Sequence, residues 1–384
     1  MRAQFIWDDQ YTIVTNPIIR DWSPAHLRAG FQTGLFGDPQ GHDFYRPFVT
    51  LVDRIDFSFY GLKPWGYHLT NLLLHMANSL LVWLLILRLG FKPRVAFLTS
   101  TLFAVHPINI QDMVMVTGRC GLLGLFFTLA TLLFLMRRNG AAIVGAALCY
   151  ACGLLSKESV CVAPFLFLAI ADLQRTWRWR QIGARLVVLV GITIFYGALR
   201  PAANAVWPPE IPHTLWLLFL LHMFPKVLLL YAALMTMPVL LYTDRGLPVI
   251  PVSGLLLTMA LTGIGYWLWR RRERWPFFSF VWVFITLLPP SLLMVSRSLL
   301  YDHWAYPALP GFLLPIAIAG AHGLASARAT IRTATRWILG LLLTAWIVLA
   351  QAHTLVRLTN RDFFRWSARF SAADTMRHNL DYMP

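Results

Sequence analysis

The sequence predicts an all-α, polytopic membrane protein with about nine to eleven transmembrane helices. Two observations carry this prediction. Hydrophobic residues make up 58% of the 384 residues and charged residues only 13%, whereas soluble domains carry roughly 25% charged residues. Apolar stretches close to the length that crosses a bilayer, about 20 residues, also recur along the chain after its first 65 residues.

The first 65 residues differ from the rest because they are polar, aromatic and rich in turn signals such as Asn16-Pro17. They predict a large loop ahead of the first span. The apolar run 214–243 is interrupted by Pro225 and Pro238, so it is predicted to form two half-helices or a re-entrant hairpin. The other spans are predicted at 66–89, 94–106, 120–136, 141–156, 159–173, 183–200, 252–269, 276–295, 304–324 and 337–356.

Basic residues cluster in alternating loops, and this pattern predicts the orientation in the membrane. Sixteen of the 33 Lys and Arg residues, but only the two acidic residues Asp172 and Glu273, lie on or beside five of the loops. The positive-inside rule assigns these loops to the cytoplasm. They are residues 88–94, 137–140, 174–185, 270–275 and 325–336. Basic residues spaced between apolar spans also argue against nucleic acid as the partner of a chain with net charge +16.

This orientation divides the chain into three units. Residues 1–65 are an extracytoplasmic loop, residues 66–356 the transmembrane domain and residues 357–384 an extracytoplasmic tail. Strict alternation of the spans holds only if the run 214–243 enters and leaves the membrane on the outer face. No signal peptide is visible ahead of the loop. We therefore expect a further apolar helix upstream of Met1, unless the loop crosses the membrane by a route that the sequence hides.

A polar stripe runs along the first predicted span. His68, Asn71, His75 and Asn78 recur at intervals of three and four residues, which places them on one face of a helix. They predict either a hydrogen-bonded seam between helices or a helix that lines a polar cavity below the outer face. His68 and His75 lie about 10 Å apart along a helix, too far for both to bind one metal ion.

Ionisable side chains from distant parts of the sequence reach the outer face in this topology. Their convergence predicts a site for an anionic headgroup, because Arg, Lys and His bind phosphate and stabilise the charge that grows on a leaving group. We assign binding of the donor phosphate to Arg46, Arg119, Lys157 and His303. The side chains expected to line the surrounding cavity are His68, Asn71, His75, His106, Glu158, Arg297 and Tyr301.

An acidic pair, Asp8-Asp9, lies in the same outer region. A carboxylate is able to act as a general base on an acceptor hydroxyl, although acidic pairs are also common in loops and at metal sites. No group of His, Cys and carboxylate residues has the spacing of a zinc site. The sequence therefore predicts no metal site and no required cofactor, while leaving room for a divalent cation.

Short motifs follow one another along the chain in a recognisable order. They are Phe5-Ile-Trp-Asp8-Asp9, Asn16-Pro17, Tyr45-Arg46-Pro47, the run Gly66 to His75, the run Leu102 to Pro107, Gly118-Arg119 and the run Leu155 to Glu158, with weaker matches at Tyr301 to Pro307 and Thr359 to Trp366. This series resembles the membrane part of the transmembrane and tetratricopeptide-repeat-containing O-mannosyltransferases. That family belongs to the C-type glycosyltransferase superfamily, called GT-C.

The resemblance implies a GT-C-like helical fold and a polyprenyl-phosphate sugar as donor. It also implies that an aspartate in the first outer loop is the catalytic base, which corresponds to Asp8 or Asp9 without separating the two. Three features depart from the family pattern. The first helix and the repeats are not found in this sequence, and Asp302-His303 replaces other residues in the 301–307 motif. Because the repeats are thought to present the protein acceptor, the choice of acceptor stays open.

The leading prediction is an inverting membrane glycosyltransferase. It transfers a sugar, taken to be mannose, from a polyprenyl-phosphate donor to a protein or other hydroxyl acceptor. The bacterial inner membrane is favoured over the endoplasmic reticulum, with the active site on the extracytoplasmic face. The alternatives are a transporter or flippase of a lipid-linked or anionic substrate, which the polar stripe and the broken run would suit, and a non-catalytic scaffold. Ionisable groups gathered at one face, and no visible internal repeat, favour the enzyme.

Overall fold

The computed structural model describes residues 4–36, 44–199, 217, 221–239, 241, 245–246, 252–271, 273–297 and 299–370. Within these ranges the chain is almost entirely helical. The α-helices are Pro24–Gln32 (α1), Pro47–Tyr60 (α2), Pro64–Arg88 (α3), Pro93–Val105 (α4), Ile110–Val114 (α5), Arg119–Leu135 (α6), Gly140–Leu154 (α7), Ala163–Gln174 (α8), Trp179–Leu199 (α9), Phe224–Thr236 (α10), Gly254–Arg270 (α11), Trp275–Arg297 (α12), Leu309–Leu324 (α13), Ala329–Leu355 (α14) and Asn360–Phe370 (α15).

Five helical stretches of the described chain are long and apolar enough to cross a membrane, namely Pro64–Arg88, Val116–Leu135, Trp179–Leu199, Asp302–Leu324 and Ala329–Leu355. Four shorter apolar helices accompany them: Pro93–Val105, Gly140–Leu154, Phe224–Thr236 and Trp275–Ser291. The predicted all-α, polytopic membrane architecture is therefore confirmed. The β structure in the described residues is one short antiparallel ladder, which pairs Arg245–Gly246 with Leu299–Leu300.

Proline and glycine set the helix ends in and after the segment that the sequence predicted as a loop. Helices α1 to α4 each have a proline in the first turn, namely Pro24, Pro47, Pro64 and Pro93. A proline is favourable there because the first helical N–H groups have no partner within the helix. Helix α2 ends at Tyr60 and is capped by Gly61, whose positive φ of +56° favours glycine. The outer segment is thus partly helical rather than a simple loop.

The polar stripe on α3 forms a seam between helices. Asn78 Nδ2 donates to the Leu122 carbonyl on α6 (2.9 Å) and to Tyr306 Oη (3.0 Å). The two ring nitrogens of His75 bond Tyr306 Oη and the Ala104 carbonyl on α4, both at 3.0 Å. Polar groups buried among helices must find such partners, since lipid offers none. The stripe therefore joins α3 to α4, to α6 and to the segment that precedes α13.

The interhelical loops rich in Arg and Lys meet at one end of the molecule. Gln174 Nε2 donates to the Arg88 carbonyl (2.9 Å), which joins the end of α8 to the end of α3. An Arg138 guanidinium nitrogen donates to the Thr176 carbonyl (3.0 Å), which adds the α6–α7 loop. The charge pattern in the sequence predicted that these loops share one side.

The opposite end gathers the N-terminal segment, α5 and the start of the C-terminal region. Gln4 N–H donates to the Leu358 carbonyl (3.0 Å). His106 Nε2 bonds the Met235 carbonyl (2.9 Å), which brings the end of α10 to the same end of the molecule. The motifs singled out in the sequence therefore lie together at the end away from the basic loops.

The interrupted run 214–243 contains one described helix, α10. Pro225 lies in its first turn and Pro238 follows its last residues, so the two prolines bound this helix rather than break it. The prediction that the run enters and leaves the membrane on one face also involves residues 200–216 and 218–220. Those residues lie outside the described ranges.

Candidate active site

A cavity of about 600 Å³ lies at the end of the molecule opposite the basic loops. Its ionisable and amide lining residues are Asp8, Arg46, Gln111, Asp112, Lys157, Glu158, Tyr301 and His303. Aromatic and apolar side chains complete the wall, including Trp7, Phe36, Phe44 and Trp304. A few polar groups in a largely apolar wall are typical of a ligand site. The structure thus brings together six of the residues that the sequence assigned to the site.

A strained turn carries Asp8 to the cavity wall. Trp7 has a φ of +49°, which is uncommon for a residue with a bulky side chain. Its N–H donates to Asn360 Oδ1 (3.0 Å), and its ring packs against Phe363, so α15 supports the turn. The Asp8 carbonyl accepts the N–H groups of Tyr11 and Thr12 (both 3.1 Å), which lie in the π-helical turn Gln10–Val14. Such strain persists only where the surroundings enforce it, and here they fix a half-buried Asp8.

Asp9 faces away from the cavity and ties the N-terminal segment to the loop before α6. It is fully buried. One carboxylate oxygen accepts the Ile6 N–H (3.1 Å) and the other accepts the Thr117 N–H (2.9 Å). Burial raises the pKa of Asp9 to about 6 although both hydrogen bonds favour the charged form. Because each oxygen accepts an N–H, the arrangement suits the ionised carboxylate. The acidic pair is therefore divided into one lining and one structural residue.

Arg46 and Glu158 form an ion pair at the cavity wall. Arg46 Nη2 lies 2.8 Å from Glu158 Oε1 and Arg46 Nε lies 3.3 Å from Oε2, a two-point contact. The Arg46 guanidinium also stacks over the Phe44 ring at 4.2 Å. Burial would raise the pKa of Glu158, but the Arg46 charge lowers it to about 2. The charge of Arg46 is therefore largely balanced by Glu158.

Lys157 and Asp112 occupy another part of the wall, on either side of Gly121. A methyl group on Gly121 would lie 2.6 Å from Asp112 Oδ1 and 3.6 Å from Lys157 Nζ. Burial lowers the pKa of Lys157, and the Asp112 charge opposes this. Burial raises the pKa of Asp112 to about 8, and the Lys157 charge offsets this only in part. Burial therefore favours the protonated form of Asp112, and that form gives the Lys157 charge no full counter-ion.

The structure corrects the expectation that Arg119 binds the donor phosphate. Arg119 is fully buried, and its Nη1 and Nη2 atoms each lie 2.6 Å from a carboxylate of α2, on Asp53 and Asp56 respectively. Its Nε donates to Asn71 Oδ1 (3.2 Å). All three guanidinium nitrogen atoms already have hydrogen-bond partners, and Arg119 does not line the cavity.

Four residues that the sequence assigned to the cavity lining lie elsewhere, which corrects that expectation. Asn71 and His75 are bonded within the seam of α3, and His68 is buried on the same helix. His106 lines a separate cavity of about 290 Å³, and its Nε2 bonds a backbone carbonyl. The fifth such prediction, Arg297, falls on a side chain outside the described part of the structure.

Sequence reasoning missed two residues that build the site and gave a third no role. Gln111 lines the cavity and Asn360 holds the Trp7 turn, and neither was singled out in the sequence. The sequence placed Asp112 at the outer face beside His106-Pro107, but nothing distinguished it there from a surface carboxylate. Within the described residues, no group of three His, Cys, Asp or Glu side chains is arranged to hold a metal ion. Whether the reaction needs a divalent cation stays a prediction.

A second groove, of about 630 Å³, lies between α10, α11 and α12. Its described lining is aromatic and aliphatic, with Thr258 and Thr262 as polar members and neither a carboxylate nor a basic side chain. Without such groups it has no means of moving a proton or binding phosphate. The cavity that contains Asp8 and Lys157 is therefore the candidate active site.

The division of the acidic pair leads to a prediction for stability. Asp9→Asn should lower the free energy of unfolding by about 1–3 kcal/mol, because the amide NH2 would face one of two buried backbone N–H groups. Asp8→Asn is the matched control and should change stability little. Thermal unfolding of both variants in the same detergent measures this. Equal midpoints for Asp9→Asn and the wild type would contradict the structural role of Asp9.

Comparison with curated proteins confirms the resemblance that the motifs indicated. The chain is 34% identical over 140 residues to protein O-mannosyl-transferase TMTC3 of Homo sapiens. It is 28% identical over 233 residues to protein O-mannosyl-transferase TMTC2 of Homo sapiens. The alignments cover 35% and 55% of this chain but only 15% and 28% of the two relatives. The chain therefore spans less than a third of their length. No protein-family profile matches the chain.

Two solved structures give weak matches to the whole described fold. They are crystal structures of ArnT from Cupriavidus metallidurans, one bound to undecaprenyl phosphate and one in the apo state, with TM-scores of 0.49 and 0.48. Sequence identity is 15% and 14%, and the matches cover 94% and 96% of this chain and 74% of each ArnT chain. Scores below 0.5 do not establish a shared fold. The comparisons thus show that the chain is similar, over part of its sequence, to protein O-mannosyl-transferases.

Proposed function

We propose that this protein is an inverting membrane glycosyltransferase that moves a mannose from a polyprenyl-phosphate donor to a hydroxyl group of a protein. The observation that carries the proposal is one cavity in which the Asp8 carboxylate and the Lys157 ammonium both line the wall. A base for the acceptor and a cation for the leaving phosphate are the two parts that this reaction needs. The similarity to protein O-mannosyl-transferases supports the same activity.

In the proposed reaction, Asp8 accepts the proton of the acceptor hydroxyl as its oxygen attacks the anomeric carbon of the sugar. The bond between that carbon and the phosphate oxygen breaks, and polyprenyl phosphate leaves with the bonding electron pair. Lys157, helped by Arg46, stabilises the negative charge that grows on the phosphate. A single displacement from the face opposite the phosphate inverts the configuration at the anomeric carbon. The proton remains on Asp8 until the products leave.

The cavity supplies positive charge from its own side chains, so we propose that no metal cofactor is required. Arg46 is fixed by Glu158 and by the Phe44 ring, which orients its remaining donors. Lys157 adds an ammonium group beside Asp112, whose carboxyl is shifted toward the protonated form by burial. A phosphodiester carries one negative charge, which Lys157 is able to neutralise while Arg46, whose charge Glu158 balances, donates hydrogen bonds to it.

We propose that the cavity opens on the extracytoplasmic side of a bacterial inner membrane. Sixteen basic residues lie in the five loops predicted to be cytoplasmic, and contacts such as Gln174 to Arg88 join several of these loops at one end of the molecule. Basic loops stay on the cytoplasmic side, so the cavity at the other end faces outward. A lipid-linked donor would reach this cavity from the outer leaflet.

The transport alternative loses its main support in the described structure. It required a polar path through the middle of the membrane along α3. Asn71, His75 and Asn78 instead bond backbone carbonyls and Tyr306. Polar groups whose hydrogen bonds are used between helices stabilise packing and are not available to a moving substrate.

The activity is tested by incubating the purified full chain in lipid nanodiscs with radiolabelled polyprenyl-phosphate mannose and a peptide library. We expect a peptide to gain one hexose at a Ser or Thr, at the same rate with and without a chelator. Asp8→Asn should lower the turnover by at least about 100-fold, the lower range for general-base catalysis, while donor binding is retained. Transfer by Asp8→Asn at the wild-type rate would contradict the role of Asp8, and no transfer from any lipid-linked sugar would contradict the proposed function.

The role of Lys157 gives a separate prediction. Lys157→Met keeps a side chain of similar length without the charge, so it should weaken donor binding by roughly 10- to 150-fold, the effect of losing a charge-assisted contact. Arg274→Met is the control, because Arg274 lies at the basic end and contacts Asp172 at 3.8 Å. Binding of labelled donor to both variants measures the difference. Equal donor affinity in Lys157→Met and Arg274→Met would show that Lys157 does not contact the phosphate.

The proposed orientation predicts the labelling of introduced cysteines in intact cells. Tyr11 is 61% exposed at the cavity end, and Arg137 is exposed at the basic end. Tyr11→Cys should react with a membrane-impermeant thiol reagent, whereas Arg137→Cys should react only after the cells are opened. The unmodified chain is the control, since its cysteines are buried or half-buried. The reverse pattern would place the cavity on the cytoplasmic side.

A further inference from the structure

Two neighbouring side chains at the cavity wall have hydrogen-bonding atoms that no protein group uses. Within the described residues, both carboxyl oxygens of Asp112 and the Oε1 atom of Gln111 are buried without a hydrogen-bond partner. Asp112 is fully buried and Gln111 is 4% exposed. The Nε2 atom of Gln111 has only a 3.8 Å contact with the Met115 sulfur. Buried polar atoms are nearly always paired in native proteins, so three unpaired acceptors together require an explanation.

The backbone that carries the two side chains is held firmly. Asn71 Nδ2 donates to the carbonyls of Met115 (2.9 Å) and Asp112 (3.3 Å). Gly118 packs directly on α5, since a methyl group there would lie 2.5 Å from the Asp112 Cα atom. The unpaired atoms therefore belong to a rigid element, and the polar side chains do not contribute to holding it. Rigid support of this kind is what a binding group needs.

The chemistry of the unpaired atoms selects the ligand. Carboxyl and amide oxygens accept hydrogen bonds from hydroxyl groups, whereas a carboxylate repels a phosphate. The cations that suit a phosphate, Lys157 and Arg46, lie on the same cavity wall. A ligand that carries both several hydroxyls and a phosphate would thus satisfy the two sets of groups at once.

We infer that Gln111 and Asp112 form a subsite that binds the hydroxyl groups of the donor sugar while Lys157 and Arg46 bind its phosphate. The inference rests on the proposed function, because it assigns the parts of a polyprenyl-phosphate sugar to parts of the cavity. It fixes the direction in which the donor lies. The sugar lies beside α5 and the lipid phosphate beside the loop between α7 and α8.

Binding of two ligands to the full chain in nanodiscs tests the subsite. One ligand is polyprenyl-phosphate mannose and the other is the same polyprenyl phosphate without a sugar. Asp112→Ala and Gln111→Met should each weaken binding of the sugar-bearing ligand by about 10-fold, the effect of losing a hydrogen bond to a buried group. Both variants should bind the bare phosphate within about twofold of the wild type. Lys157→Met should weaken both ligands alike.

The variants also report on folding. Neither Asp112→Ala nor Gln111→Met removes a strong hydrogen bond seen in the structure, so their thermal midpoints should not fall below that of Lys157→Met. Equal losses for the two ligands, or no loss for either, would overturn the inference while leaving the proposed function standing, provided that the wild type binds both ligands. A wild-type protein that binds neither ligand would overturn the proposed function as well.

Discussion

The structure depends on one fully buried ion cluster, in which Arg119 lies between Asp53 and Asp56. Removing three charges from water costs several kcal/mol per ion, and the cost is offset only because both guanidinium ends are bonded at 2.6 Å. The cluster joins α2 to α6. Asn71 completes it, bonding Arg119 through its oxygen and the backbone of α5 through its nitrogen. Helix α2 starts directly after Arg46, α5 carries Asp112, and α6 carries Gly121, so this cluster fixes three walls of the cavity relative to one another.

The acidic pair is placed by a second set of constraints, which act on the backbone rather than on charge. Trp7 stays in a left-handed conformation because Asn360 bonds its N–H and Asp9 closes the turn onto Ile6 and Thr117. Two carboxylates one residue apart repel each other and point in different directions. In this fold the two carboxylates have different surroundings. Asp9 is buried and accepts two backbone N–H groups, whereas Asp8 lies at the cavity wall. A base held on a fixed turn needs little rearrangement to reach a hydroxyl, which is favourable for catalysis.

The sequence predicted the helices well and the partners of the charged residues poorly. Apolar length alone located α3, predicted at 66–89 and observed at Pro64–Arg88, because lipid enforces helices in such stretches. The predicted topology also placed Lys157, Glu158 and His303 on the same outer face, and in the structure all three line one cavity. Arg119 could not be assigned, since its partners lie 63 and 66 residues earlier in the sequence and spacing does not reveal such a contact. Gln111 escaped notice because an amide in a polar segment looks like any surface residue until its burial is known.

The charges of the cavity explain why its one unpaired carboxyl does not oppose the donor. Arg46 is balanced by Glu158, so its net effect on an arriving anion is small. Lys157 would be balanced in the same way if Asp112 were ionised. Burial raises the pKa of Asp112 to about 8 and the Lys157 charge opposes that rise, so burial favours the neutral carboxyl, which would leave the Lys157 charge available to the phosphate. The bound phosphate then supplies the negative charge that keeps the buried ammonium protonated. A protonated Asp112 both donates and accepts hydrogen bonds, as a sugar hydroxyl does. Burial of Asp112 therefore suits Lys157 to bind the phosphate and Asp112 to bind the sugar.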